Sequence, residues 1–192
     1  MMHRDSITDH LTRHSKMISE LEESLDSFCE QIERIAMVCQ NSISQGGKIM
    51  FIGNGGSAAD SQHLATELVS RYKKDRPPIK AIALTVDSSC LTAISNDYSF
   101  SSVFSRQVSA IGSKGDVLIA LSTSGNSINV IEAVKTANDL GIITISMTGK
   151  DGGELVKSTS LSFRSPSNET PIIQESHIMA GHIICSLLEE SL

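Results

Sequence analysis

The sequence predicts an α/β fold, three-layer α/β/α with a central parallel sheet of about five strands and a long N-terminal helix, and three observations carry the prediction. Short apolar, largely β-branched runs recur at 49–52, 81–84, 117–121, 142–147 and 161–163. Helix-like stretches separate them at 57–72, 88–96, 101–111 and 127–140, and another covers 172–190. Residues 6–45 contain neither Pro nor Gly. Continuous apolar runs alternating with helices indicate a parallel sheet covered on both faces.

In the first segment Ile7, Leu11, Met17, Ile18, Leu21, Leu25, Phe28, Ile32, Ile35, Ala36, Val38 and Cys39 recur at roughly helical spacing. They predict one long helix, or two with a break, ending at Gly46-Gly47. So long a helix needs a second apolar surface. A helix from another copy of the chain is the expected supplier, and an internal helical hairpin is the alternative. Residues 1–46 are therefore read as a helical segment that packs in an oligomer, and 47–192 as the α/β domain. Lys73-Lys74-Asp75-Arg76-Pro77-Pro78 is expected to close the helix that starts at 57, since Pro cannot continue it.

The 192 residues suit one domain with an appended helix, and 40% hydrophobic content supplies a core. With 4% aromatic residues and no Trp, that core must be built from Ile, Leu, Val, Ala and Met. A net charge of −6 argues against a nucleic-acid-binding surface, though not against a local anion pocket. Cys29, Cys39, Cys90 and Cys185 lack CxxC pairing and read as buried thiols in a reducing compartment. The opening Met1-Met2-His3-Arg4-Asp5 lacks the apolar run of a signal peptide. No stretch approaches the roughly 20 apolar residues that span a bilayer, so the expected location is the cytoplasm, with no membrane partner.

Parallel sheets take their ligands at the carboxyl ends of the strands. The first run leads into Gly53-Asn54-Gly55-Gly56-Ser57, then a helix from Ala58. Glycines let backbone N–H groups converge on an anion at a helix start, where Ser57 is expected to cap the helix. The spacing lacks the third glycine of G-x-G-x-x-G and the G-K-[ST] of a P-loop, which argues against a nucleotide. The run at 117–121 leads into Ser122-Thr123-Ser124-Gly125-Asn126-Ser127 and another helix. Four hydroxyls at a helix start suit a phosphate or sugar hydroxyls. Two such turns, each after a buried strand, point to a phosphorylated small molecule.

His63 and Glu67 stand at i and i+4 on the helix after the glycine turn, on one face, able to ligate a metal or to transfer protons. Asp60 and Gln62 read as ordinary exposed positions. The last helix offers Gln174, Glu175, His177 and His182. Gln174 and His182 lie two turns apart, roughly 12 Å, and spacing alone does not choose between His177 and His182.

These segments, with Ser95-Asn96-Asp97, Gly115-Asp116-Val117 and Thr148-Gly149-Lys150-Asp151-Gly152-Gly153, resemble the sugar isomerase (SIS) domain, most closely that of the bacterial phosphoheptose isomerases. The resemblance covers nearly the whole chain. It implies aldose–ketose isomerisation of a phosphorylated seven-carbon sugar, sedoheptulose 7-phosphate, in lipopolysaccharide-core biosynthesis, by a homotetramer. It implies phosphate binding by Ser122, Thr123, Ser124 and Ser127, with Ser57-type residues contributing. Asn54, Gly55, Gly56, Asn96 and Asp97 would line the sugar, with Glu67 and Gln174 also reaching substrate. The zinc ligands would be His63, Glu67, Gln174 and His182, and the acid–base pair Glu67 and His182, leaving His177 a supporting role. Some relatives of this architecture are non-catalytic adaptors that bind the replication initiator and tend to lose the helix carboxylate; this chain keeps Glu67.

Overall fold

A computed structural model of the chain describes residues 3–149 and 151–191. Five parallel strands, β1 (Ile49–Gly53), β2 (Ala81–Ala83), β3 (Val117–Ser122), β4 (Ile143–Thr148) and β5 (Leu161–Arg164), form one sheet in the order β2-β1-β3-β4-β5. Among the described residues, the seven α-helices are α1 (Arg4–Glu23), α2 (Leu25–Ser44), α3 (Gly56–Val69), α4 (Ser88–Asp97), α5 (Val103–Ile111), α6 (Ile128–Asp139) and α7 (Thr170–Glu190).

The expected three layers are present, and the strand residues explain why. Alternate side chains of a strand point to opposite faces. Ile49, Phe51, Ile119, Leu121, Ile145 and Met147 join a core with Ile32, Ile35, Leu64, Leu68, Ile172 and Ile184 from α2, α3 and α7. Met50, Ile52, Leu118 and Ala120 point the other way, onto Phe104, Val108, Val130 and Val134 of α5 and α6. β1 and β3 are buried on both faces and read as near-continuous apolar runs, whereas the edge strands β2 and β5 leave Ile82 and Arg164 exposed. Each buried Ile, Leu, Val, Phe or Met of these two faces contributes roughly 1.5–3 kcal/mol by its burial.

The N-terminal segment is two helices broken at one residue. The Ser24 hydroxyl donates to the Glu20 carbonyl at 3.1 Å and the Leu21 carbonyl at 3.4 Å, where the backbone leaves helical geometry. The two helices adjoin little beyond this break, so they do not form a packed hairpin. Met17 and Leu21 reach the core, whereas Ile7 and Leu11 are exposed. Glu175 of α7 ties α1 down through His10 (2.8 Å) and His14 (2.7 Å).

Two expectations are corrected. The helix after the glycine turn ends at Val69, not at the prolines. The Glu189 carboxylate takes the N–H groups of Tyr72, Lys73 and Lys74, which pulls the chain out of helix first. Of the four free cysteines, Cys39 and Cys185 are buried, with burial pushing each thiol up to about 12, but Cys29 is exposed on α2 and Cys90 is half-buried. Among the described residues, no helix is long and apolar enough to cross a membrane.

Candidate active site

In this strand order the chain's course across the parallel sheet reverses between β1 and β3, and sheets of this kind bind ligands in the crevice beyond the carboxyl ends of such strands. Both turns open there, since Gly53 at the end of β1 lies opposite Leu121 of β3.

Gly55 has φ +55, a conformation that glycine adopts without the Cβ penalty, and α3 begins immediately after it at Gly56. Ser57 is therefore not the cap that the sequence suggests. It lies inside the first turn, buried beneath Gly53, where a Cβ on Gly53 would come within 2.8 Å of the Ser57 Cβ. A Cβ on Gly56 would collide with Nε2 of Gln174, so that amide lies directly against the turn. Asn54 donates to Asn129 Oδ1 at 2.8 Å and accepts from Asn129 Nδ2 at 2.9 Å, joining the glycine turn to the first turn of α6.

The serine turn is held from outside. Gly149 N–H donates to the Thr123 carbonyl at 3.0 Å, Leu155 N–H to the Gly125 carbonyl at 2.9 Å, and Glu154 N–H to Asn126 Oδ1 at 3.1 Å. Lys150, in the same supporting segment, lies outside the described residues. Ser127 precedes α6 without capping it; its hydroxyl shares a hydrogen bond with that of Ser122 at 3.1 Å. Hydroxyls beside a helix N-terminus form a neutral anion cradle.

Three of the side chains expected to transfer protons or ligate a metal meet further along α3. His63 Nε2 and His182 Nε2 are 2.9 Å apart, one ring donating and the other accepting, and Glu67 Oε1 is 3.3 Å from His63 Nε2. One ligand atom from each of His63, Glu67 and His182 lies within 4.8 Å of the others, an arrangement that can hold a metal ion. Burial lowers the His182 pKa, with the charges of His63 and Lys73 acting in the same direction and Glu67 opposing. Its imidazole is thereby favoured neutral, the form that ligates a metal or accepts a proton.

Residues 14–149 match the family model described as SIS domain. The phosphoheptose isomerase of Akkermansia muciniphila is 50% identical over 169 residues, covering 88% of this chain and 89% of the relative. That of Aliarcobacter butzleri is 46% identical over 189 residues, 98% of each chain. The solved phosphoheptose isomerase from Neisseria gonorrhoeae superposes with a TM-score of 0.90 at 39% identity, covering 97% of this chain and 98% of its own.

The chain belongs to the SIS domain family. The match begins inside α1 and takes in both turns and all of α3. Of the residues that the SIS resemblance assigns to metal, His63, Glu67 and His182 come together within one chain. Gln174 stands at the other end of the site, against Gly56, about 12 Å up α7 from His182. Asn96 and Asp97 close α4, exposed and bonded to each other at 2.8 Å, and among the described residues no hydrogen bond links them to either turn.

His177, the histidine that spacing could not separate from His182, is wholly buried on the sheet side of α7. Its Nε2 donates to the Thr148 carbonyl at 3.0 Å, and burial holds its pKa down to about 4. Asp60 is not the exposed position expected of it: its Oδ2 is buried without a hydrogen-bond partner among the described residues. Burial raises its pKa, and nearby His63 works against that rise. Tyr72 was also missed; its ring stacks on the His182 imidazole at 5.4 Å and 21°. Tyr72, Lys73, Ile178, Met179, His182, Ile183, Ser186 and Leu187 line an open groove of about 450 Å³ beside the cluster.

Proposed function

We propose that the chain isomerises sedoheptulose 7-phosphate to D-glycero-D-manno-heptose 7-phosphate through an enediol, the first step of ADP-heptose supply to the lipopolysaccharide core, in the cytoplasm. The observation that carries the reading is the meeting of His63 and Glu67, on the helix that starts in the glycine turn, with His182 of α7. Phosphoheptose isomerases about half identical to this chain support the substrate class.

Aldose–ketose interconversion moves a proton between adjacent carbons, so it needs a base at carbon and a proton carrier at oxygen. Glu67 takes the carbon-bound proton and returns it to the neighbouring carbon. His182 passes the proton between the two oxygens. Ser122, Thr123, Ser124 and Ser127 bind the phosphate at the start of α6, aided by Ser57. Asn54, Gly55, Gly56, Asn96, Asp97 and Gln174 line the sugar chain. Phosphate binding remote from the reacting carbons aligns them without taking part in the chemistry.

Two imidazole nitrogens and a carboxylate oxygen are a donor set that zinc accepts. Ligand atoms on tetrahedral zinc stand about 3.3 Å apart, close to the 2.9 and 3.3 Å spacings of this cluster. His63, Glu67 and His182 would hold the ion; when bound, it polarises the substrate oxygen on which negative charge develops. Gln174 serves as the remaining ligand from a neighbouring copy, because within its own chain it stands two turns away. That role fits a homotetramer in which residues 1–46 pack between copies, and the exposed Ile7 and Leu11 of α1 support such packing.

Proton NMR of sedoheptulose 7-phosphate incubated with the protein, with and without a chelator, tests the reading. Appearance of the aldose signals, slowed by the chelator, is expected. No conversion by intact, metal-loaded protein would overturn the reading in favour of the non-catalytic adaptor.

A further inference from the structure

Behind the His63–Glu67–His182 cluster lies a buried ion pair that the proposed chemistry does not use. Arg76 Nε stands 3.4 Å from Glu189 Oε1, with the two side chains only 6% and 2% exposed. Charges withdrawn from water to this degree are costly unless partners surround them. Beyond each other, the partners here are backbone groups. Glu189 accepts from the N–H groups of Tyr72 (3.1 Å), Lys73 (2.9 Å) and Lys74 (2.9 Å). Arg76 donates through Nη2 to the Glu67 carbonyl and through Nη1 to the Leu68 carbonyl, both at 2.8 Å. Burial would raise the Glu189 pKa, but the three N–H groups and Arg76 outweigh it and hold the carboxylate ionised.

The geometry of these contacts reaches the cluster from two directions. Arg76 caps the carbonyl end of α3 at the residue that carries the Glu67 side chain, fixing where that last turn stops. Glu189 lies two turns beyond His182 on α7, and the three N–H groups it gathers lead the chain back so that the Tyr72 ring rests on the His182 imidazole. We propose that Arg76 and Glu189 are positioning residues for the His63–Glu67–His182 centre, Arg76 acting through the end of α3 and Glu189 through Tyr72. The proposal rests on the reading of that cluster as the metal and proton-transfer centre, and it adds the parts that hold its ligands still.

The test reads ligand geometry apart from turnover. In metal-free protein, the ring protons of His182, assigned by their loss in His182→Gln, report the Tyr72 ring current. Cobalt(II) titration followed by visible absorption reports metal affinity, and circular dichroism checks the fold. Glu189→Gln is expected to move the His182 signals in the same direction as Tyr72→Leu, and to weaken cobalt binding on the order of tenfold or more, the range seen when groups behind metal ligands are removed. Tyr72→Phe should leave both readouts in place. The Glu189→Gln, Tyr72→Leu double variant should be no worse than the poorer single one.

Wild-type His182 shifts and cobalt affinity in Glu189→Gln would overturn the proposal, as would losses that multiply in the double variant. Should Glu189→Gln fail to fold, Arg76→Lys keeps the charge but gives up the two-carbonyl fork, and the same tenfold loss is expected of it. If the wild-type protein binds no cobalt, the metal reading falls, and the His182 shifts alone decide the positioning role.

Discussion

Asn54 and Asn129 grip each other by both ends of their amides, at 2.8 and 2.9 Å, across the point where the sheet reverses its strand order. Asn129 is buried, so its side chain can serve little except this partner. The bond fixes the separation between the glycine turn, proposed to line the sugar, and the start of α6, proposed to take the phosphate. Asn54 is left to meet a ligand through its backbone and its remaining amide hydrogen.

Asn129→Leu should therefore strand the Asn54 amide, lowering stability by about 1–3 kcal/mol and raising KM more than it lowers kcat. Replacing both asparagines with leucine should recover part of the stability, because no buried polar group is left unpaired, but not the KM. Urea melts and steady-state isomerase kinetics of the two variants read these effects separately.

Glu67→Gln keeps the shape of the side chain and removes its basicity. With Glu67 as the base at carbon, turnover should fall by on the order of 10²–10⁴ while calorimetry still detects the phosphorylated sugar. His182→Ala should show the same separation of binding from turnover. Full activity in either variant removes that residue from its role.

Ser122→Ala with Ser124→Ala should act in the opposite way. Ser122 Oγ faces Ser127 Oγ at 3.1 Å, and Ser124 Oγ accepts the Asn126 N–H at 3.1 Å, so the pair both shapes the turn and presents hydroxyls to an anion. Binding of the phosphorylated sugar should weaken about tenfold or more by calorimetry, the equivalent of one or two hydrogen bonds to a charged group. At saturating substrate kcat should stay within a few-fold, because the proposed binding mode puts this turn at the phosphate, away from the reacting carbons.

The strands, the helices and the two turns were legible because each is a local pattern: a short continuous apolar run, helical spacing, a glycine where φ is positive. The His63–Glu67 pair was legible for the same reason. What escaped the sequence depends on contacts between distant segments. The end of α3 at Val69 is set by Glu189 at the far end of the chain, and the seat of Tyr72 on His182 follows from it. Asn129 looks like any residue in a first helical turn until Asn54 is brought opposite. Asp60 lies on a face of α3 whose burial no i, i+3 pattern announces. The break at Ser24 was anticipated only as an option, since the apolar spacing runs through it and a single hydroxyl makes it.

His177 supplies the remaining prediction, on acid stability. Its folded pKa is held down to about 4 by burial, with the Thr148 carbonyl bond opposing, against 6.5 when unfolded. Between those values the unfolded chain binds the proton and the folded one does not, so stability falls as pH falls through this window. Integrated from pH 7 to pH 5, this one group should remove about 2 kcal/mol. Other carboxylates and histidines titrate over the same range, so the readout is the difference between wild type and His177→Leu. The variant should be less stable at pH 7, because it leaves the Thr148 carbonyl with one partner fewer, but it should lose about 2 kcal/mol less on acidification. Urea unfolding at pH 7, 6 and 5 measures both; parallel losses in the two proteins would mean that His177 is protonated in the fold.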